Sequence, residues 1–155
     1  GADLALLCVA ERQQGVISRD GLGFDDLAGR TFINRQKGSG TRILLDHTLA
    51  ERGISPASIP GYGREVTTHL AVSLAVRNGE ADAGMGVYSA AKALGLRFVP
   101  VATERYELVM HRAMLDDPRI AALVETVSSD AFKEVLRDLG GYETDETGVL
   151  RGLRD

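Results

Sequence analysis

The sequence predicts an α/β fold, a mainly parallel sheet with flanking helices. Three observations carry this. Short apolar runs alternate with helix-like runs across residues 30–101, the order of βαβ units. The helix-like runs close on glycine signals, at Gly53, Asn78-Gly79 and Gly95. The composition, 44% hydrophobic and 26% charged over 155 residues, is that of a globular chain long enough to bury a core without staples.

Taken in order, residues 4–9 (LALLCV) and 14–18 (QGVIS) read as two strands from their apolar, β-branched content. Asp20-Gly21-Leu22-Gly23 is a turn, and Phe24 to Gly29 one short helical turn. Thr31 to Asn34 is a short buried strand. Ser39 or Gly40 caps a helix that ends at Gly53, with Ile43, Leu44, Leu45 and Leu49 at near-helical spacing. Ser55 to Gly63, carrying Pro56 and Pro60, is a connection. Thr67 or Thr68 caps a second helix through Val76, with Leu70, Leu74 and Val76 as its buried stripe. Ala81 to Gly86 is a strand whose small residues suit close backbone approach. Tyr88 to Leu94 is a third helix. Phe98 to Val101 is a strand and Arg105 to Met110 another. Asp116-Asp117-Pro118 opens a helix with proline at its start. Ser128 to Leu139 is the last helix, and the polar tail after Tyr142 reads as loose.

Ala10-Glu11-Arg12 is echoed by Ala102-Thr103-Glu104-Arg105, both in extended segments that bracket the α/β region. Two strands leaving and re-entering a lobe side by side would form a hinge; chance is the competing explanation. The expected organisation is entry strands at 1–20, an α/β ligand-binding lobe at 21–103, and a return strand with C-terminal helices at 104–155.

The composition also excludes. A net charge of −4 argues against non-specific nucleic-acid binding. A single cysteine, Cys8, rules out an internal disulfide and reads as a buried small hydrophobe in the run Leu4 to Val9. There is no Cys/His cluster for zinc, and no apolar stretch approaches the roughly 20 residues needed to cross a membrane. Gly1-Ala2 reads as a cloning remnant, and the abrupt start as a piece of a longer protein.

The stretch Phe32 to Ile54 holds the densest chemistry. Three cations, Arg35, Lys37 and Arg42, surround Gly38-Ser39-Gly40-Thr41 where a strand meets a helix. A helix start offers free N–H groups and partial positive charge; glycines admit a ligand, hydroxyls add donors, and arginine forks suit an oxyanion or carboxylate. The pattern is not a P-loop, because Lys37 precedes the glycines instead of following them. The competing reading is a capped helix with solvated cations.

A second corner, Gly84-Met85-Gly86-Val87-Tyr88-Ser89, resembles a dinucleotide fingerprint, with Glu104 about where a ribose-binding acid would fall. Ser89 replaces the third glycine, however, and the motif starts in mid-chain. The preferred reading makes Gly86 to Tyr88 another wall of the same cleft. Thr67-Thr68-His69 opens the second helix; the hydroxyl at its cap either satisfies the helix or faces that cleft, and His69 reads as a surface residue. His47, His111, Glu11, Glu104, Glu107 and Asp25-Asp26 form no catalytic constellation. The expectation is binding and not enzyme catalysis, with no cofactor.

The segments "FINRQKGSGTRILLD", "THLAVSLAVRNGEADAGMGVYSAAKALGLRFVPVATERYELVM" and "ERQQGVIS" together resemble the periplasmic-binding-protein-like domain. That domain occurs in molybdate-responsive transcriptional regulators and fused to molybdopterin biosynthesis proteins. It is similar to type 2 periplasmic binding proteins and LysR-type effector domains. The resemblance covers residues 10–140. It implies a ligand clamped between lobes joined by two crossing strands. It implies ligand contacts at Arg35, Gln36, Ser39, Gly40, Thr41 and Arg42, at Thr67 and Thr68, at Gly86, Val87 and Tyr88, and at Arg105 and Tyr106. The family's first lobe begins with a βαβα segment that has no counterpart here, so the chain is expected to lack part of that lobe. Uncovered surfaces on the helices near 118–139 would then favour a homodimer.

The function so implied is sensing of a small anion, molybdate or tungstate, within a cytoplasmic regulator or molybdenum-cofactor-related protein. Nucleic acid would be met only through a domain outside this chain. The alternatives are a transport-type solute-binding protein for a small anion or organic acid, and a Rossmann-like dinucleotide-binding fragment.

Overall fold

The computed structural model describes residues 3–153; Gly1 and Ala2 lie outside them. The chain divides into two compact units, one formed by residues up to Arg12 and from Thr103 onward, the other by Gln13–Ala102. The chain passes from the first unit to the second after Arg12 and returns after Ala102.

Two long strands pass through both crossings. β1 runs unbroken over Leu4–Ser18, and β5 over Arg97–His111. Each was expected as two shorter strands. Polar residues at 10–13 and 102–105 suggested breaks, but a ladder needs only extended backbone and partners. β1 finds those in β4 and in two C-terminal strands.

In the Gln13–Ala102 unit, β2 (Phe32–Arg35) pairs in parallel with β3 (Glu65–Val66) and with β4 (Ala83–Val87). β1 joins antiparallel to β4, with Gln14 opposite Val87 and Ser18 opposite Ala83. The period-2 alternation of a strand then distributes the core. Phe32 and Val16 contribute to one cluster, with Phe24, Leu27, Leu45, Leu49 and Met85. Ile33 joins a second cluster with Val72, Ala75 and Val76, and Ile17 a third with Val87, Ala90 and Ala91.

The helices of this unit are α1 (Gly40–Glu51), α2 (His69–Arg77) and α3 (Tyr88–Ala93). α1 buries Leu45, Thr48 and Leu49 and leaves Ile43 exposed. α2 departs further from expectation: Leu70 and Leu74 are exposed, and the buried face is Val72, Ser73, Ala75 and Val76. The reason lies in the sheet. Gly84 has no side chain, so Val72 lies directly against its backbone. That contact fixes which face of α2 turns inward.

The other unit packs α4 (Pro118–Ser128) and α5 (Asp130–Leu139) with Ala5, Leu7, Met110 and Val127 in its core. Its tail is not loose. β6 (Tyr142–Glu143) and β7 (Leu150–Leu153) both pair antiparallel with β1. Between them Gly148, at φ +87°, turns the chain so that its N–H bonds the Cys8 carbonyl at 2.8 Å. Cys8 is buried, and burial raises its thiol pKa above the ordinary value. Leu123, Val135 and Leu139 stay exposed on the two helices.

The close approach at Gly84 is testable. A Cβ there would meet Val72 Cγ1 and lie 3.0 Å from both Ile33 Cγ2 and the Ile33 carbonyl oxygen. Gly84→Ala should cost about 1–3 kcal/mol by overpacking, read as a lower urea midpoint at unchanged m-value.

Candidate functional site

β2, β3 and β4 are parallel, and each leads into a helix. The starts of α1, α2 and α3 therefore lie beyond one edge, the carboxyl edge of these strands, where open α/β sheets hold ligands. Gln14 reaches the same edge from β1, opposite Val87.

The α1 corner is built by Gly38, at φ +88°, and by Ser39. The Ser39 N–H donates to the Gln36 carbonyl, and its Oγ accepts from the Arg42 N–H at 3.2 Å. Gln36 N–H in turn donates to the Val66 carbonyl, tying the corner to β3. With Arg42 N–H capped, the N–H groups of Gly40 and Thr41 are the first-turn donors that the helix itself does not use. Thr68 caps α2 in the same way, accepting from Ala71 N–H at 3.0 Å.

Arg35 links the corners. Its Nη2 donates to the Thr67 carbonyl at 3.2 Å, its Nε to Gln36 Oε1 at 3.2 Å, and its Nη1 lies 3.0 Å from His69 Nδ1. A Cβ on Gly86 would come within 3.2 Å of His69 Nδ1, so this glycine gives the imidazole its place. His69, read from sequence as a surface residue, belongs to this corner. Tyr88 packs edge-on against Phe98, ring centroids 5.4 Å apart. Thr41 is buried and donates its hydroxyl to Gln14 Oε1 at 2.8 Å.

Arg42, expected from the resemblance to contact a ligand, makes bonds within the protein. Its Nε is 3.1 Å from both carboxylate oxygens of Asp46, and its Nη1 donates to Glu65 at 3.0 Å and to the Arg35 carbonyl at 3.2 Å. The guanidinium sits over the Tyr62 ring at 4.5 Å, and the Tyr62 hydroxyl donates to Asp46. Burial works against its charge, but the bonds to Tyr62 and Asp46 outweigh that and raise its pKa. The group is spent inside the protein.

Arg105 and Tyr106 belong to the other unit. Arg105 pairs with Glu146, with Glu107 at 2.8 Å and with Glu11 at 3.8 Å; the Arg12 guanidinium covers the Tyr106 ring at 4.6 Å and pairs with Glu104. The two echoed segments therefore meet in crossed pairs, Glu11 with Arg105 and Arg12 with Glu104.

Charge placement separates the helices. In the other unit, α4 is capped by Asp117 and α5 carries Asp130 in its first turn. The first turns of α1, α2 and α3 carry no acid. Acids at a helix start offset the macrodipole, so the carboxyl edge is left electropositive. Among the described residues no group of three or more His, Cys, Asp or Glu is placed to hold a metal, and no helix is long and apolar enough to cross a membrane. A groove of roughly 480 Å³ runs elsewhere, along the flank of β3 and α2, and none of the helix caps lines it.

A family model described as the PBP superfamily domain matches residues 1–128. The chain belongs to the PBP superfamily. Among curated relatives it is 37% identical over 157 residues to the uncharacterized protein YvgK of Bacillus subtilis strain 168, covering 97% of this chain and 50% of that protein. It is 40% identical over 113 residues to an uncharacterized protein of the ferredoxin 2Fe-2S gene 5' region of Clostridium pasteurianum, covering 70% of this chain and 96% of that one. The PBP chain thus spans half the length of the Bacillus relative. Among solved structures it is similar to the probable amino-acid ABC transporter extracellular-binding protein YtmK of Bacillus subtilis. The TM-score there is 0.60 at 16% identity, over 90% of this chain and 65% of that one. The likeness shows the fold, a mixed α/β sheet flanked by helices as in type 2 periplasmic binding proteins.

Two outcomes check the electrostatics of the two units. Arg42→Ala strips the partner from two carboxylates that are only partly buried, Asp46 and Glu65. It should cost about 2–3 kcal/mol in a urea titration, as loss of charge-assisted bonds implies. In the other unit, bonds from Arg151 and Arg105 lower the Glu107 pKa. A lowered carboxylate stabilises above its unfolded pKa and loses that contribution as pH falls through the folded value. Stability should therefore decline through and below the ordinary carboxylate range, and Glu107→Gln should flatten this acid limb in thermal unfolding.

Proposed function

We propose that this domain binds a small anion at the carboxyl edge of β2–β4, as the ligand-sensing part of a cytoplasmic regulator or molybdenum-cofactor-related protein, with molybdate or tungstate as the ligand. PBP-fold proteins bind small-molecule ligands, and binding without catalysis is the role assigned here. The observation that carries the anionic choice is the acid-free start of α1 and of α2, with Arg35 between them. Backbone N–H groups and a guanidinium converge where the chain supplies no carboxylate of its own, which is how oxyanions and carboxylates are held without a metal. A second reading, a transport-type protein for an organic acid, is favoured by the structural likeness to YtmK, named as a probable amino-acid ABC transporter extracellular-binding protein.

Thermal unfolding with molybdate, tungstate, sulfate, phosphate, acetate and glutamate tests this. A ligand at a hundred times its Kd adds about 2.7 kcal/mol, a shift of several degrees for a domain of this size. A selective rise with one tetrahedral oxyanion is expected, reduced in Arg35→Ala. A rise confined to the amino acid would establish the transport reading, and no rise with any anion would refute the anionic site.

A further inference from the structure

Gln14 stands out among the residues at the carboxyl edge. It lies in β1 opposite Val87, its side chain is 0% exposed, and its neighbours along the strand, Val16 and Ile17, are core residues. Its Oε1 accepts the Thr41 hydroxyl at 2.8 Å, while its Nε2 has no hydrogen-bond partner. Buried amide donors are as a rule paired, because leaving them dry forfeits their hydration. An apolar residue would fill this position without that cost. The unpaired group is also not placed at random. It is held against Thr41, the second residue of α1, where the N–H groups of Gly40 and Thr41 are themselves left over by the helix.

We propose that Gln14 is a ligand-contacting, specificity-determining residue of the anion site, its carboxamide NH₂ completing the donor set of the α1 start; this rests on the anionic reading above. The Thr41 hydroxyl holds the carboxamide by its oxygen, which turns the NH₂ toward the ligand, so Thr41 is a positioning residue. A donor pair in a dry site accepts only acceptor atoms. The arrangement therefore selects an acceptor oxygen, as in molybdate, sulfate or a carboxylate, over a ligand that presents an ammonium group at that point.

The test uses Gln14→Met, which keeps length and volume but removes the donors, together with the oxygen that accepts the Thr41 hydroxyl. Calorimetric titration with sodium molybdate, sodium sulfate and sodium glutamate is run on the wild-type chain and the variant, alongside ligand-free unfolding. The expected result is affinity for the bound anion reduced about 10- to 100-fold, with at most a modest fall in the ligand-free midpoint from the loss of the Thr41 hydroxyl's acceptor. Gln14→Glu, which puts a negative charge in the same shape, should abolish binding of that anion. Equal affinity in wild type and Gln14→Met would overturn the proposal and leave the anion site standing, and a lower midpoint with unchanged affinity would make Gln14 purely structural. If none of the three salts binds the wild-type chain, the anionic reading falls and this inference with it.

Discussion

A buried guanidinium organises the α/β unit. Arg42 lies in the first turn of α1, yet its contacts reach the end of β2 through the Arg35 carbonyl, β3 through Glu65, and the connection before β3 through Tyr62. Taking a charge out of water is costly, and only good geometry offsets it. Here both carboxylates and a carbonyl receive the fork, and Tyr62 closes over its face. The consequence is positional. The first turn of α1 is held against the ends of β2 and β3, so its N–H groups keep a fixed direction. A helix start that frays or swings offers no defined site.

Strand direction does the rest. Because β2, β3 and β4 run the same way, the helices after them begin on the same edge, and their partial positive ends add. Elsewhere the chain offsets such ends with its own acids, Asp117 and Asp130. At the carboxyl edge it does not, although acids are plentiful in the composition, 22 against 18 lysines and arginines. Glu65 and Asp46, the acids nearest in this network, are drawn away to Arg42. The structural arginine thus has a second effect: it takes up both of these carboxylates.

How much of this the sequence disclosed depends on what encodes each feature. The α1 corner was legible because glycine, serine and helix periodicity are local signals, and Ser39 is indeed the cap. The α2 face was misread because it is set by an absence, the missing side chain of Gly84, beyond the end of the helix at Arg77. β7 was invisible because its side chains are exposed and its backbone pairing with β1 leaves no alternation to mark it. Arg42 looked like a ligand contact for want of its partners: Glu65 is distant in sequence, and a charge at a glycine-rich corner reads the same whether it faces a ligand or a carboxylate. Gln14 carried a faint signal, a polar residue inside an apolar strand, whose meaning needed Thr41 beside it.

The echo of Glu-Arg segments is of another kind. Each Glu-Arg step meets the other in reverse, so Glu11 faces Arg105 and Arg12 faces Glu104. Single exposed pairs contribute little, because entropy and solvent screening consume most of the Coulomb gain. Crossed pairs share their ordering: once one fork is fixed, the second side chain has less freedom left to lose. Arg105 also reaches Glu107 and Glu146, and Glu107 reaches Arg151, so the network extends to β7. These bonds lie beside the two points, after Arg12 and before Thr103, where the chain passes between its units. A cross-link there fixes how β1 and β5 are registered as they leave the α/β unit. Pairing between strands thus accounts for the contacts the repeated residues make with one another.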